Sequence, residues 1–139
     1  FEILNETYVK KLQIEARIIG DMCLNHVIPA AVRYQNILIE NVKGMKDIFG
    51  DDYLNYCASE IETLKKISTY INNVSADVEG LVEARKKANR IEAIAERAKV
   101  YSYEVKDMME KVRVSADNLE MLIDDEVWPL PKYRVLLFF

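Results

Sequence analysis

Glycine and proline are scarce in this sequence of 139 residues, which contains four glycines and three prolines. Both residues commonly make sharp turns or end helices, so their scarcity predicts few turns and long helices. Cysteine is also rare: Cys23 and Cys57 are the only two, and neither belongs to a C-x-x-C motif. One such pair does not form the framework of a disulfide-rich secreted domain, so we expect a reducing, intracellular setting.

Neither a strong excess of one charge nor a long apolar run is present. The formal net charge is −4, which gives no general attraction to nucleic acid or to anionic lipid. The longest uncharged run covers residues 22–32, about half of the ~20 residues that a membrane helix needs. We therefore expect no nucleic acid and no membrane as partner. Because the chain opens on Phe1 rather than on Met, we expect a piece of a longer protein.

Helical spacing of apolar residues is the strongest pattern in the sequence. Half of the residues are hydrophobic and 30% are charged, which is globular usage. From about residue 7 to 49, apolar or small residues recur every three or four positions and predict one buried helix face. Pro29 falls inside this run and predicts a kink near His26–Pro29. The recurring positions are Val9, Leu12, Ala16, Ile19, Cys23, Val27, Ala30, Tyr34 and Ile37.

A turn is predicted at Gly50. A left-handed glycine there would end the first helix, and Asp51 or Asp52 would cap the next one. With the hairpin turn at this point, Cys23 and Cys57 lie roughly 30 Å apart along the helix. A disulfide needs Cα atoms within about 7 Å, so we expect no bridge between them.

The same periodicity continues through residues 52–124 without a proline. One helix of about 73 residues would be about 110 Å long, so we expect a break. The weakest point is 72–75, where Ser75 can act as an N-cap; the alternative, 84–99, is rich in helix formers. The sequence predicts an all-α fold: an elongated up-and-down bundle of three to four long helices over residues 1–127, followed by an extended, proline-containing tail over 128–139.

Few residues have the pattern of a chemical site. Cys23 and His26 share a helix face, but zinc generally needs three or four protein ligands, so we favour a structural role for both. A single histidine also cannot supply the two Glu-x-x-His motifs of a di-iron bundle. The acidic groups at 51–52 and 124–126 fall at helix ends, where capping and turns explain them. We therefore assign no catalytic, cofactor-binding or metal residue.

The basic cluster ARKKANR, residues 84–90, has two interpretations. No aromatic residue interleaves with it, and acidic residues flank it on both sides. A solvated helix face with ion pairs such as Glu83–Lys87 is the favoured interpretation. A phosphate-responsive surface is the weaker alternative, formed by Arg85, Lys86, Lys87 and Arg90.

The tail WPLPKYRVLLFF, residues 128–139, is strongly apolar and must be buried against something. Pro129 and Pro131 prevent a continuing helix and favour an extended path. Lys132 and Arg134 can stay in water while the apolar side chains act as anchors. The candidate docking residues are Trp128, Leu130, Tyr133, Leu136, Leu137 and Phe138.

Three stretches carry a resemblance to a known family: DDEVWPLPKYRVLLFF, VEARKKANRIE (82–92) and IEARIIGDMCLNHVIPAAVRYQNILIENVKGMK (14–46). Together they resemble the C-terminal end of type III glutamine synthetases, the large bacterial form of glutamate–ammonia ligase. The resemblance implies a parent enzyme that joins ammonia to glutamate using ATP and Mg²⁺ or Mn²⁺, within a large cytoplasmic homo-oligomer. It places the metal, nucleotide and glutamate ligands upstream, outside this chain.

Two functions follow as hypotheses. The first is a non-catalytic C-terminal helical domain that packs on the catalytic domain of its own chain or on neighbouring subunits. The tail would then dock on its own bundle, on the catalytic domain or on a neighbour. The second hypothesis is a freestanding helical adaptor that binds a partner protein. In both cases the segment alone is predicted to lack catalytic residues, so enzyme activity would belong to the longer protein.

Overall fold

The computed structural model describes residues 2–128, and nearly all of this range is helical. For Glu2 the description covers the backbone alone. In chain order the elements are α1 (Glu2–Met22), a π-helical turn (Cys23–Val27), α2 (Ile28–Phe49), a 3-10 turn (Gly50–Tyr53), α3 (Leu54–Asn89), α4 (Ile94–Val100), a second π-helical turn (Tyr101–Val105) and α5 (Lys106–Glu120).

The predicted all-α class is confirmed, but the predicted count of long helices is not. Helical turns follow one another from residue 2 to 89 and again from 94 to 120, which gives two long stretches rather than three to four, although the first of them folds back on itself at Gly50–Tyr53. The reason is that short π and 3-10 turns preserve helical hydrogen bonding through places where separate helices were expected. The first stretch is kinked at Cys57, whose dihedral angles are φ −134° and ψ 25°.

The chain reverses direction at the 3-10 turn Gly50–Tyr53. Gly50 ends α2 with a positive φ of +57°, as expected, but its ψ of −132° is not the left-handed helical conformation that was predicted. The expected caps are wrong, because Asp51 and Asp52 lie inside the 3-10 turn and Tyr53 precedes α3 without a side-chain cap. The turn leads directly into α3, so the carbonyls of the turn are available to its first amides and no side-chain cap is needed.

The break after α3 lies at 90–93, within the alternative stretch 84–99 and not at the favoured position 72–75. Within α3, Val74 and Val78 are buried, so the apolar face is continuous where Asn72, Asn73 and Ser75 suggested a break. Packing therefore outweighs the weak helix propensity of these polar residues. At the actual break Ala93 takes an extended conformation, and the Arg97 side chain donates a hydrogen bond of 2.8 Å to the Ile91 carbonyl. Ile91 lies in the loop between the two helices, so this bond supplies its carbonyl with a side-chain partner.

The predicted irregularity near Pro29 is present as a π-helical turn. The turn covers Cys23–Val27, directly before Pro29, and its altered hydrogen bonding accommodates the ring and the missing amide of proline inside the helical path. The helical path continues through it without a break. The second π-helical turn, Tyr101–Val105, contains no proline and was not predicted. It places Tyr101 and Val105 in the core.

Three helical segments pack side by side at one end of the molecule. Gln35 donates a hydrogen bond of 2.8 Å to Ser68, which fixes α2 and α3 as an antiparallel pair. Ser115 of α5 donates one of 2.5 Å to Asp77 of α3, and these two helices are also antiparallel. The three segments, or layers, are α1 with α2, α3, and α4 with α5. The layer formed by α4 and α5 ends near Val27, and beyond that point α2 and α3 continue alone as a two-helix arm. The part of α2 from residue 31 to 49 is about 28 Å long.

The core lies at the end of the molecule where the three layers pack together. Its largest fully buried side chains come from α3, from the second π turn and from the end of α5 with the turn after it. They include Ile67, Leu81, Tyr101, Leu119 and Ile123. The arm, with one partner for each helix, buries fewer residues: Ile37 of α2 is 53% exposed.

Candidate docking site at the end of the bundle

An open apolar groove lies between α1 and α5, where the third layer ends. Its volume is about 220 Å³, and most of its exposed lining is apolar. We call it the terminal groove. Its lining includes the apolar residues Ile19, Met22, Ala116 and Trp128, together with Cys23 and the charged residues Arg113, Asp117 and Glu120.

Trp128 reaches the groove through a tight turn after α5. The amide of Glu126 donates a hydrogen bond of 2.9 Å to the Asp124 carboxylate. The amide of Trp128 donates another, of 3.0 Å, to the Asp124 carbonyl. Asp124 therefore organises a turn, which confirms the interpretation of this acidic residue as turn chemistry. The turn places Trp128 against the core, where it is 8% exposed.

Trp128 is the one predicted docking residue that falls within the described range. It packs with the buried core cluster that includes Cys23, Val27 and Val112. The other five predicted docking residues lie outside the described residues, and their docking stays a prediction. They are Leu130, Tyr133, Leu136, Leu137 and Phe138.

Cys23 and His26, which were considered as a possible pair of metal ligands, have different surroundings. Cys23 is 3% exposed, and burial raises the pKa of its thiol from its ordinary 9.0 to about 11. His26 is exposed, although it lies only three residues further along the π turn. Within residues 2–128, no group of three or more His, Cys, Asp or Glu side chains is placed to hold a metal ion.

The cysteines are free, as expected. Cys57 is buried in α3, where its thiol donates a hydrogen bond of 3.2 Å to the Tyr53 carbonyl. Cys23 lies in the terminal groove, on the other side of the Gly50 turn. The predicted absence of a bridge between Cys23 and Cys57 is therefore confirmed.

A hydrogen-bonded junction joins all three layers, and sequence reasoning did not find it. The Asn89 side-chain oxygen accepts hydrogen bonds from Tyr101 at 2.5 Å and from Gln13 at 2.9 Å. Asn89 is the last residue of α3, Gln13 belongs to α1, and Tyr101 begins the second π turn. The signal in the sequence was weak, because an isolated Asn in a helix and a Tyr in an apolar series are common in helical proteins without any such junction.

The basic cluster is partly engaged by another helix. Lys87 forms an ion pair of 3.1 Å with Glu104, which lies across the α3–α4 turn in the second π turn. The expected pair with Glu83 is therefore not the one observed. Arg85 is half-buried, whereas Lys86 and Arg90 are exposed. The phosphate-responsive alternative for these cations stays a prediction.

None of the helices in the described part of the chain is long and apolar enough to cross a membrane.

Comparison with known proteins points to one family. A family model described as the glutamine synthetase C-terminal domain matches residues 1–46. The chain is 46% identical over 138 residues to a glutamine synthetase of Bacteroides fragilis strain YCH46, a match that covers 99% of this chain and 19% of that protein.

Two further relatives agree with this match. A type-3 glutamine synthetase of Dictyostelium discoideum is 28% identical over 153 residues, and a glutamine synthetase of Butyrivibrio fibrisolvens is 28% identical over 138 residues. Each match covers 99% of this chain and 19% of the relative. The chain thus spans about a fifth of the length of the curated relatives it matches, and the matched part is their C-terminal end.

Proposed function

The chain belongs to the glutamine synthetase family as the counterpart of its C-terminal region, and on this premise we propose that it is a non-catalytic helical domain with a structural packing role. The observation that carries the proposal is the match over 99% of the chain to the C-terminal end of a glutamine synthetase. Its partners are the catalytic domain of the same enzyme and neighbouring subunits of a homo-oligomer.

Exposed apolar residues support a packing role. At the end of the bundle where α1 begins, Ile3 is 76% exposed, Leu4 is 73% exposed and Tyr103 is 76% exposed. Large exposed apolar side chains that occur together are typical of protein interfaces rather than of free surfaces. In the relatives the rest of the protein precedes the matched region, so the end of the bundle where α1 begins is the natural place for a contact with the catalytic domain.

The activity of the whole enzyme is part of the proposal. We assign the parent protein to the type III form, a name that one of the three relatives carries. It would join ammonia to glutamate using ATP and Mg²⁺ or Mn²⁺ in the cytoplasm. Residues 1–139 contribute none of the ligands for these groups in this proposal; their work is to hold the assembly together.

The freestanding adaptor is not favoured. The relatives that match the whole of this chain are about five times its length, and in them the matched region is one part of a larger protein. An adaptor that acts alone would more naturally match proteins of its own size. No described feature, such as a groove long enough to hold a partner helix, points to the adaptor instead.

A chimera tests the proposal. The region that matches residues 1–139 is deleted from the Bacteroides fragilis enzyme and, in a second protein, replaced by this chain. We expect the deletion to disrupt the oligomer and to lower glutamine synthesis, and the replacement to restore both; light scattering and a glutamine assay measure them. A deletion that leaves assembly and activity intact would show that the region has no packing role.

The isolated chain provides the matched control. It should show a helical circular dichroism spectrum and should make no glutamine from glutamate, ammonia and ATP with either metal. Glutamine formation by this chain alone would contradict a non-catalytic domain. Failure of the chimera together with a folded isolated chain would instead place the fault in the junction with the catalytic domain.

A further inference from the structure

We propose that residues 129–139 dock in the terminal groove of their own bundle, with Leu130 beside Trp128 and with Lys132 and Arg134 facing the carboxylate of Asp117. The proposal concerns contacts inside one chain and does not depend on the proposed function. It selects one of the three docking surfaces that the sequence left open for the tail.

The size of the groove fits side chains better than a cofactor. Its volume of about 220 Å³ is smaller than the ~300–1,000 Å³ of typical small-molecule sites, and it is open to solvent. Three charged residues, Arg113, Asp117 and Glu120, line its α5 side, and the rest of its wall, including Ile19, Met22 and Ala116, is mostly apolar. An apolar groove of this size is suited to one or two large apolar side chains.

Chain connectivity brings the tail to the groove. Trp128 lies in the groove wall, and Leu130 follows it by two residues, which corresponds to about 7 Å at most. The 11 residues of 129–139 can span roughly 36 Å when extended. A segment tethered at the edge of a site has an effective concentration in the millimolar range, which favours its own groove over the same groove on another copy.

A row of exposed apolar residues on α1 extends the apolar surface of the groove. Met22, Ile18 and Ile14 are spaced by four residues and therefore lie on one face of the helix. Ile18 is 53% exposed and Ile14 is 59% exposed. The distance from residue 22 to 14 along a helix is about 12 Å, well within the reach of the tail. The apolar side chains of the tail have the chemistry to cover this line.

The charges of the two sides are complementary. Residues 129–139 contain Lys132 and Arg134 and no acidic residue. On the α5 side of the groove, Asp117 is exposed and forms no ion pair within the described residues. The neighbouring cation Arg113 is already paired with Glu110 at 2.6 Å, so it does not neutralise Asp117.

The single tryptophan of the chain makes the docking measurable, because Trp128 itself lies in the groove. We compare acrylamide quenching of Trp128 fluorescence in the full chain and in a chain ending at Pro129, which keeps the new carboxylate off Trp128. We expect truncation to increase quenching and to shift the emission to longer wavelength. Unchanged quenching and emission would overturn the proposal.

Full-length variants keep the test valid if the truncated chain fails to fold. Asp117→Lys should increase the quenching of Trp128, and adding Lys132→Glu and Arg134→Glu should reverse the increase. Asp107→Lys, a carboxylate on the same helix that is not part of the groove, is the matched control and should change nothing. The proposal fails if the triple variant stays as exposed as Asp117→Lys, or if Asp107→Lys has the same effect. Protection that disappears on dilution of the full chain would show docking on a second copy and would also overturn it.

Discussion

The hydroxyl of Tyr101 donates a hydrogen bond of 2.5 Å to the side-chain oxygen of Asn89, across the turn that joins α3 to α4. Tyr101 is fully buried, so this bond satisfies a polar group that would otherwise be hidden from water. Because Gln13 of α1 donates to the same oxygen, one amide side chain links the three layers of the bundle. The junction therefore fixes where α4 ends and the second π turn begins relative to both α1 and α3.

Removing the Tyr101 hydroxyl should weaken the fold measurably. We expect Tyr101→Phe to lower the free energy of unfolding by about 1 kcal/mol, since it removes one buried hydrogen bond and keeps the ring. Tyr103→Phe is the matched control, because Tyr103 is 76% exposed and should change stability by less than about 0.5 kcal/mol. Urea denaturation followed by circular dichroism measures both. Equal stability of the two variants would show that the Asn89 contact contributes nothing.

Two glycines should respond in opposite directions to alanine. Gly44 lies inside α2 with no atom within 4 Å of an added Cβ, so Gly44→Ala should stabilise the protein by about 0.5–1 kcal/mol through helix propensity. Gly50 has φ +57° and ψ −132°, a conformation that a side chain makes costly. We expect Gly50→Ala to lower stability by at least about 1 kcal/mol. Thermal unfolding of both variants distinguishes them, and a stabilising Gly50→Ala would contradict the turn geometry.

Periodicity predicted the helix class and the buried face of α1, and it failed where packing partners change. Val9, Leu12 and Ala16 recur at helical spacing and are buried as that spacing predicts. Ile37 belongs to the same series but is 53% exposed, because the third layer ends before it and leaves one side of α2 open. A spacing rule reports which face is apolar and does not report how many helices cover it.

The favoured position of the break between helices was wrong for a related reason, and the break lies in the less favoured stretch 84–99. Polar residues at 72–75 resemble a boundary in the sequence, yet Val74 and Val78 are anchored in the core, and tertiary packing keeps the helix intact. At 90–93 the local sequence forms helices well. The break there depends on the contact between the Arg97 side chain and the Ile91 carbonyl and on the Asn89 junction, both of which exist only after folding.

Leu119 should be among the residues whose loss costs most. It is fully buried at the end of α5, next to the turn that carries Trp128, so Leu119→Ala should lower the free energy of unfolding by about 2–5 kcal/mol. Met121, two residues later, is 84% exposed, and Met121→Ala serves as the control with little effect. Chemical denaturation monitored by Trp128 fluorescence would measure the difference. A cost below about 1 kcal/mol for Leu119→Ala would mean that this end of the bundle is loosely packed.

Cys23 should make the fold sensitive to alkaline pH. Burial raises the pKa of its thiol from 9.0 to about 11, so the unfolded chain loses this proton at lower pH than the folded chain does. The folded state therefore binds more protons between pH 9 and about 11, and the contribution of Cys23 to stability is complete below pH 9 and lost as pH rises through that window.

Cys23→Ala isolates this contribution from the lysines and tyrosines that titrate in the same range. We expect the variant to have a lower stability at neutral pH, because alanine leaves a small cavity, and a flatter decline between pH 9 and 11 than the unmodified chain. Denaturation midpoints measured at half-unit pH steps supply the comparison. If Cys23→Ala and the unmodified chain decline in parallel, the Cys23 thiol is not shielded from water in the folded protein.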